Sequence, residues 1–143
     1  MISELNPNKM VKILHKELSY KLSGILFNVH NKLGRFCKHN QYCGAFEKLL
    51  NENRVKYKRE IEVPIYFNDT KLTGNILDFL VEDLIILDVK CKKSITTKDY
   101  VQMKRYLRAT GKELGIIVNF SEEKLKPKRI LQDVKNNSDI IRN

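Results

Sequence analysis

The chain has 143 residues, 42% hydrophobic and 31% charged, with 27 Lys and Arg against 17 Asp and Glu for a formal net charge of +10. That length and apolar content predict one domain over 1–143 with a modest two-layer core, excluding a disordered chain, and leave 1–16 and 124–143 as candidate loose ends. The basic excess favours a polyanionic partner without choosing which one, and no apolar run approaches the ~20 residues that would span a bilayer.

In chain order, Leu18, Leu22, Ile25, Leu26, Val29 and Leu33 recur at helical spacing and predict an amphipathic helix over 17–33, closed by Gly34 and open to extension through Met1–Lys16. Tyr42, Ala45, Phe46, Leu49 and Leu50 predict a second helix, which runs out at Asn51–Asn53. The period then changes to two. Val55, Tyr57, Ile61, Val63, Ile65 and Phe67 predict a half-buried strand in which Pro64 marks an edge or a bulge. Asn68-Asp69-Thr70 reads as a turn, Leu72–Val81 as a second strand, Glu82-Asp83 as a tight hairpin and Leu84–Val89 as a third strand buried on both faces. Thr96 and Asp99 form a capping box for a helix carrying Tyr100, Val101, Met103 and Leu107 until Gly111 stops it. Leu114–Phe120 is a last apolar strand, expected to lie parallel to the third because a helix connects them. The predicted class is α/β: two helices, a three-stranded antiparallel meander, a crossover helix, a fourth strand parallel to the third, and a basic tail.

Cys37, Cys43 and Cys91 are odd in number and include no C-x-x-C pair, and no apolar signal segment precedes them. A reducing, cytoplasmic setting without structural zinc is the expectation.

The chemistry concentrates near the hairpin. Asp88 and Lys90 are two apart and share a face of their strand, and the hairpin lays Asp78 beside them. Two carboxylates can hold a hard divalent ion such as Mg2+, which polarises a phosphate and activates a water. A neighbouring lysine can orient or deprotonate that water or stabilise the transition state. A plain Asp–Lys ion pair gives the same pattern, so the next helix matters. Gln102 and Tyr106, four apart, share one helical face, suited to contacting a water or phosphate, while Lys104, Arg105 and Arg108 suit a nucleic-acid backbone, with Lys92 and Lys93 in the same basic stretch.

Asp78, Asp88-Val89-Lys90 and Gln102-Met103-Lys104-Arg105-Tyr106 resemble, in order, the Asp, Asp/Glu-x-Lys, Gln-x-x-x-Tyr series of RecB-like PD-(D/E)xK nucleases. The stretch from Leu18 to Phe120 is similar to the small GxxExxY proteins of that superfamily. It includes Val29-His30-Asn31-Lys32-Leu33-Gly34, Tyr66-Phe67, Ala109-Thr110-Gly111 and Gly115-Ile116-Ile117-Val118-Asn119-Phe120. The resemblance implies a restriction-endonuclease-like core and a Mg2+ or Mn2+ site made by Asp78, Asp88 and the Val89 carbonyl. Lys90 would be the catalytic lysine, Gln102 and Tyr106 positioning residues, and Lys92, Lys93, Lys104, Arg105 and Arg108 contacts to nucleic acid, DNA favoured. Where the family places its Gly and Glu, this chain has Phe36 and His39, with Tyr42 matching. His39 can replace the missing carboxylate as a ligand, shifting preference toward Mn2+, or leave the site weakened; Glu17 and Glu47 are fallback helix carboxylates. His30 reads as structural.

Three functions follow from these residues: a metal-dependent nuclease, a nuclease-fold binding module without catalysis, and a structural domain whose Asp and Lys form an internal pair. Cutting both strands together would need two sites, which suits a homodimer.

Overall fold

Helix α1 (Pro7–Leu33) puts Leu22, Ile25, Leu26 and Val29 on one buried stripe and ends where Gly34, at φ 75°, returns its N–H to the His30 carbonyl at 2.8 Å. The computed structural model describes residues 7–132, so α1 takes in Pro7–Lys16, while 1–6 and 133–143 of the expected loose ends lie outside the described residues. Helix α2 (His39–Glu52) buries Tyr42, Cys43, Phe46 and Leu50 against α1 and the sheet.

The expected first strand is two strands. Val63-Pro64 interrupts it, so that β1 (Tyr57–Glu62) joins the main sheet and β2 (Ile65–Phe67) pairs with β3 (Thr70–Leu72) in a separate exposed hairpin turning at Asn68-Asp69. The expected Leu72–Val81 strand is divided in the same way, and β4 begins only at Ile76 (Ile76–Val81). A proline cannot give an N–H to a ladder, which is why the break falls there. After Glu82-Asp83, both at positive φ, comes β5 (Ile85–Lys90). Helix α3 (Thr97–Thr110) starts at the predicted box, where the Asp99 carboxylate accepts the Thr96 N–H at 2.7 Å, and stops at Gly111 in the left-handed conformation. Strand β6 (Leu114–Asn119) lies parallel to β5 with Lys90 beside Asn119.

One strand was not anticipated. Residues 128–131, expected within a loose tail, form β7 (Lys128–Leu131), which closes the sheet antiparallel to β6 and buries Ile130. Its single inward residue is too brief a pattern to separate a strand from a basic tail. The sheet order is β1-β4-β5-β6-β7.

Each face of this sheet has its own core. Phe79, Val81, Ile85, Leu87, Val89, Leu114, Ile116 and Val118 pack under α1 and α2; Leu80, Ile86, Ile117 and Ile130 pack under α3 with Met103, Tyr106 and Leu107. Val101 and Tyr100 of that helix are exposed, so its buried stripe runs through Met103, Tyr106 and Leu107. Gly115 lets α3 come close, since a Cβ there would collide with the Met103 Sδ. No helix among the described residues is long and apolar enough to cross a membrane.

Candidate active site

The site forms where two neighbouring strands part. β4 and β5 pair at Val81–Ile85, Leu80–Ile86 and Phe79–Leu87, and the pairing stops there. In its place the Asp78 Oδ2 accepts the Val89 N–H at 2.8 Å, so that a carboxylate satisfies an amide the ladder has released. The strand also rotates at this point: Phe79 belongs to the α1/α2 core, whereas Leu77 belongs to the core under α3. On β1, Glu60 lies between the Arg59–Phe79 and Ile61–Leu77 pairs, and its φ of 52° records the same distortion from the other side. A non-glycine residue in that region costs about 1–2 kcal/mol, which the surrounding pairs hold in place.

Alternation along β5 sends Leu87 and Val89 toward α1 and α2 and turns Asp88 and Lys90 the other way, as expected from their spacing. Asp88 is buried, and burial pushes its carboxyl up to about 7, with the neighbouring Asp78 carboxylate adding to the rise and Lys90 opposing it. Lys90 Nζ lies 2.9 Å from Asp88 Oδ2 and donates to Gln102 Oε1 at 2.7 Å. Burial alone would lower the lysine pKa, but Asp88 outweighs it and the net shift is upward, which keeps the amine an ammonium. Tyr106, one turn beyond Gln102, is buried below them; burial first and the Asp88 charge second raise its phenol, leaving it protonated at neutral pH.

Asp78, Asp88, Lys90, Gln102 and Tyr106 are therefore gathered in one place by β4, β5 and α3. His39, from the first turn of α2, reaches them from the opposite side with Nε2 3.5 Å from Asp78 Oδ2. Glu17 is exposed on α1, and Glu47 is bound to the Tyr57 hydroxyl at 2.7 Å and Arg59 at 3.0 Å. His30 is structural: its Nε2 is 2.8 Å from the Glu122 carbonyl and its ring stacks on Phe120. Cys91 packs against the α1/α2 core, away from the Asp88 face.

Two residues here escaped the sequence. Asp99 was legible only as a helix cap, yet its buried carboxylate also takes Lys92 Nζ at 2.8 Å and lies 3.8 Å from Lys90 Nζ. Asn119, wholly enclosed, accepts the Lys92 N–H at 3.1 Å and donates to the Lys92 carbonyl at 2.7 Å, fastening the segment after β5 to the end of β6. Nothing in a polar residue at a strand end announces such a clasp.

A cleft of about 430 Å³ opens beside Lys90 and Gln102, with Lys92, Lys98, Asp99 and Arg105 on its walls. Lys93 and Arg108 are exposed nearby in sequence, whereas Lys104 turns to the Leu131 carbonyl at 2.6 Å, over β7.

Among the described residues, no three His, Cys, Asp or Glu side chains form a ready-made cation cage. The Asp78–Asp88 pair nevertheless fits a hard divalent ion, because it offers two oxygen donors side by side, one of them raised by burial and then by its neighbour, and a cation would offset both costs.

No curated protein matches the chain in sequence. Among solved structures it is similar to SSO0001, at a TM-score of 0.52 and 18% identity over 91% of this chain and 65% of that one. It is also similar to an alkaline exonuclease (LHK-Exo) from Laribacter hongkongensis, at a TM-score of 0.47 and 14% identity over 67% of this chain and 57% of that one. The chain thus spans less than two thirds of either protein's length. Residues 16–130 match the PD-(D/E)XK nuclease superfamily, and they contain both carboxylates, the lysine and the helix that supports it; the chain belongs to that superfamily.

Proposed function

We propose that this chain is a RecB-like, GxxExxY-type nuclease that hydrolyses phosphodiester bonds in nucleic acid, DNA favoured, with Mg2+ or Mn2+ as cofactor. The observation that carries the reading is the Asp78–Asp88 pair, with Asp88 pushed up to about 7 beside a lysine clamped by Gln102. Asp78, Asp88 and the Val89 carbonyl would hold the ion, with His39 as a further donor favouring Mn2+. The chemistry such an ion supplies is polarisation of the phosphate and a lowered pKa for the attacking water.

The chain's own residues do the rest. Lys90, kept as an ammonium, donates to the attacking water or to the non-bridging oxygen on which charge grows. Gln102 fixes that ammonium, and Tyr106 offers a protonated hydroxyl under Asp88. Lys92, Lys93, Arg105 and Arg108 contact the phosphate backbone, with Lys104, whose amine is turned to the Leu131 carbonyl on β7, as an outlying contact. A homodimer would supply the two sites needed for a double-strand cut, and a reducing cytoplasm suits the free thiols.

The direct test is cleavage of supercoiled plasmid and of single-stranded DNA with Mg2+ or Mn2+, comparing wild type with Asp88→Ala and Lys90→Ala. The expected result is metal-dependent cleavage that falls at least ~100-fold in both variants. His39, standing where the family places a carboxylate, favours a second reading, a binding module without catalysis. Wild-type protein that binds DNA in chelator and cuts it with neither ion would establish that reading instead.

A further inference from the structure

The loop that joins α1 to α2 ends beside the site, and nothing in the chemistry above uses it. Phe36 in this loop is 88% exposed, the most exposed of the large hydrophobic side chains among the described residues. It contributes almost nothing to the core, yet the loop that presents it is firmly built. The Tyr42 hydroxyl donates to the Gly34 carbonyl at 2.5 Å and accepts the Cys37 N–H at 3.2 Å, so that one phenol clamps the chain on both sides of Phe36. Tyr42 is itself fully enclosed and stacked flat on Phe120, with ring centroids 4.3 Å apart. The Gln41 side chain takes the Lys38 N–H at 2.8 Å and secures the far end.

One face of the Phe36 ring is already occupied, by the Arg35 guanidinium 5.3 Å from its centroid. The charge around it has one sign: between Asn31 and Gln41 stand Lys32, Arg35 and Lys38, all exposed, and no Asp or Glu. His39, three residues on, is the side chain that reaches Asp78, and the chain keeps the Phe36 Cα within about 11 Å of the His39 Cα. A rigidly held aromatic ring flanked by cations is the arrangement that stacks on a base while its neighbours take the adjoining phosphates. Inside a duplex both faces of a base are covered by its neighbours, so the ring finds a free base face only where bases are unpaired.

From this we infer that Phe36 is a base-stacking residue and that the site takes single-stranded nucleic acid, with the strand running from the Arg35–Lys38 loop past Asp78 to the cleft beside Gln102 and Arg105. The inference rests on the nuclease reading and narrows its substrate.

The chain contains no tryptophan, so Phe36→Trp introduces a single fluorescent reporter on an exposed position. Binding would be measured in chelator with single-stranded oligodeoxythymidylate and with its duplex, for wild type, Phe36→Ala and Phe36→Trp. The expected result is that wild type prefers the single strand, Phe36→Ala loses about tenfold for the single strand alone with an unchanged salt slope, and Phe36→Trp keeps the affinity while its indole fluorescence is quenched. If wild type binds and cuts but Phe36→Ala matches it and the indole is not quenched, the stacking role is overturned while the nuclease reading stands. If wild type binds neither form, and cuts nothing with metal, both fall together.

Discussion

Asp88 and Asp99 are both acidic, both at the α3 side of the sheet and almost equally hidden, at 5% and 6% exposure, yet they are driven in opposite directions. Burial and the Asp78 carboxylate push Asp88 up to about 7. Burial would raise Asp99 as well, but the Lys92 ammonium and the Thr96 amide and hydroxyl outweigh it and hold its carboxyl below the usual range. The two carboxylates differ in how far the fold has satisfied them. Asp99 has its donors and is part of the scaffold; Asp88, even with the Lys90 ammonium 2.9 Å away, stays raised by burial and by Asp78, which a cation held between the two carboxylates would offset.

The sharpest way to break this contrast is to remove the charge from each. Asp88→Asn is expected to lower metal-dependent cleavage by a factor of about a thousand, measured on plasmid DNA, while leaving the far-ultraviolet circular dichroism unchanged. Retained activity would mean that Asp88 is not the carboxylate that matters.

The next effect is in stability. A carboxyl raised in the folded state from 3.8 to about 7 favours the protonated native form, so its contribution is complete below the unfolded pKa and is lost as pH rises through the folded one. Denaturant titrations of wild type in chelator should therefore show up to ~4 kcal/mol of stability lost between pH 4 and 7 through this group, a slope that Asp88→Asn removes. For Asp99 the sign reverses: with a depressed folded pKa its contribution is present above the unfolded value and disappears as pH falls through the folded one.

Asp99→Ala should then destabilise the protein by about 2 kcal/mol at neutral pH, from the lost cap and the stranded Lys92, read as a lower denaturation midpoint. Metal-dependent cleavage should survive in that variant. The smallest effect is expected at Gln102→Ala, which frees the Lys90 ammonium without removing it; a loss of about tenfold in kcat with little change in stability would mark a positioning role.

The parts of the molecule legible in sequence were those with long or stereotyped local signals. α1 and α2 were visible from periodicity, α3 from its Thr96–Asp99 box and Gly111, and the parallel β5–β6 pair from the intervening helix. The meander was only half legible. Alternation runs straight through Val63-Pro64 in the sequence, and only the lost N–H of Pro64 shows why the chain there leaves the sheet for a second hairpin. Strand β7 has one buried residue and so no readable period. At the site, the spacing of Asp88 and Lys90 and of Gln102 and Tyr106 foretold which side chains share a face. The role of Asp78 at the point where β4 leaves β5, and the clasp made by Asn119, depend on partners eleven to twenty-seven residues away that no local pattern encodes.

The Asp78–Asp88 pair is the proposed cation site, and the most direct measurement of it is the melting temperature with Mn2+ or Mg2+ against chelator at a pH above 7. Wild type and Asp99→Asn should both melt higher with metal, and Asp88→Asn should not respond. A wild-type midpoint indifferent to both ions, or an equal rise in Asp88→Asn, would contradict it.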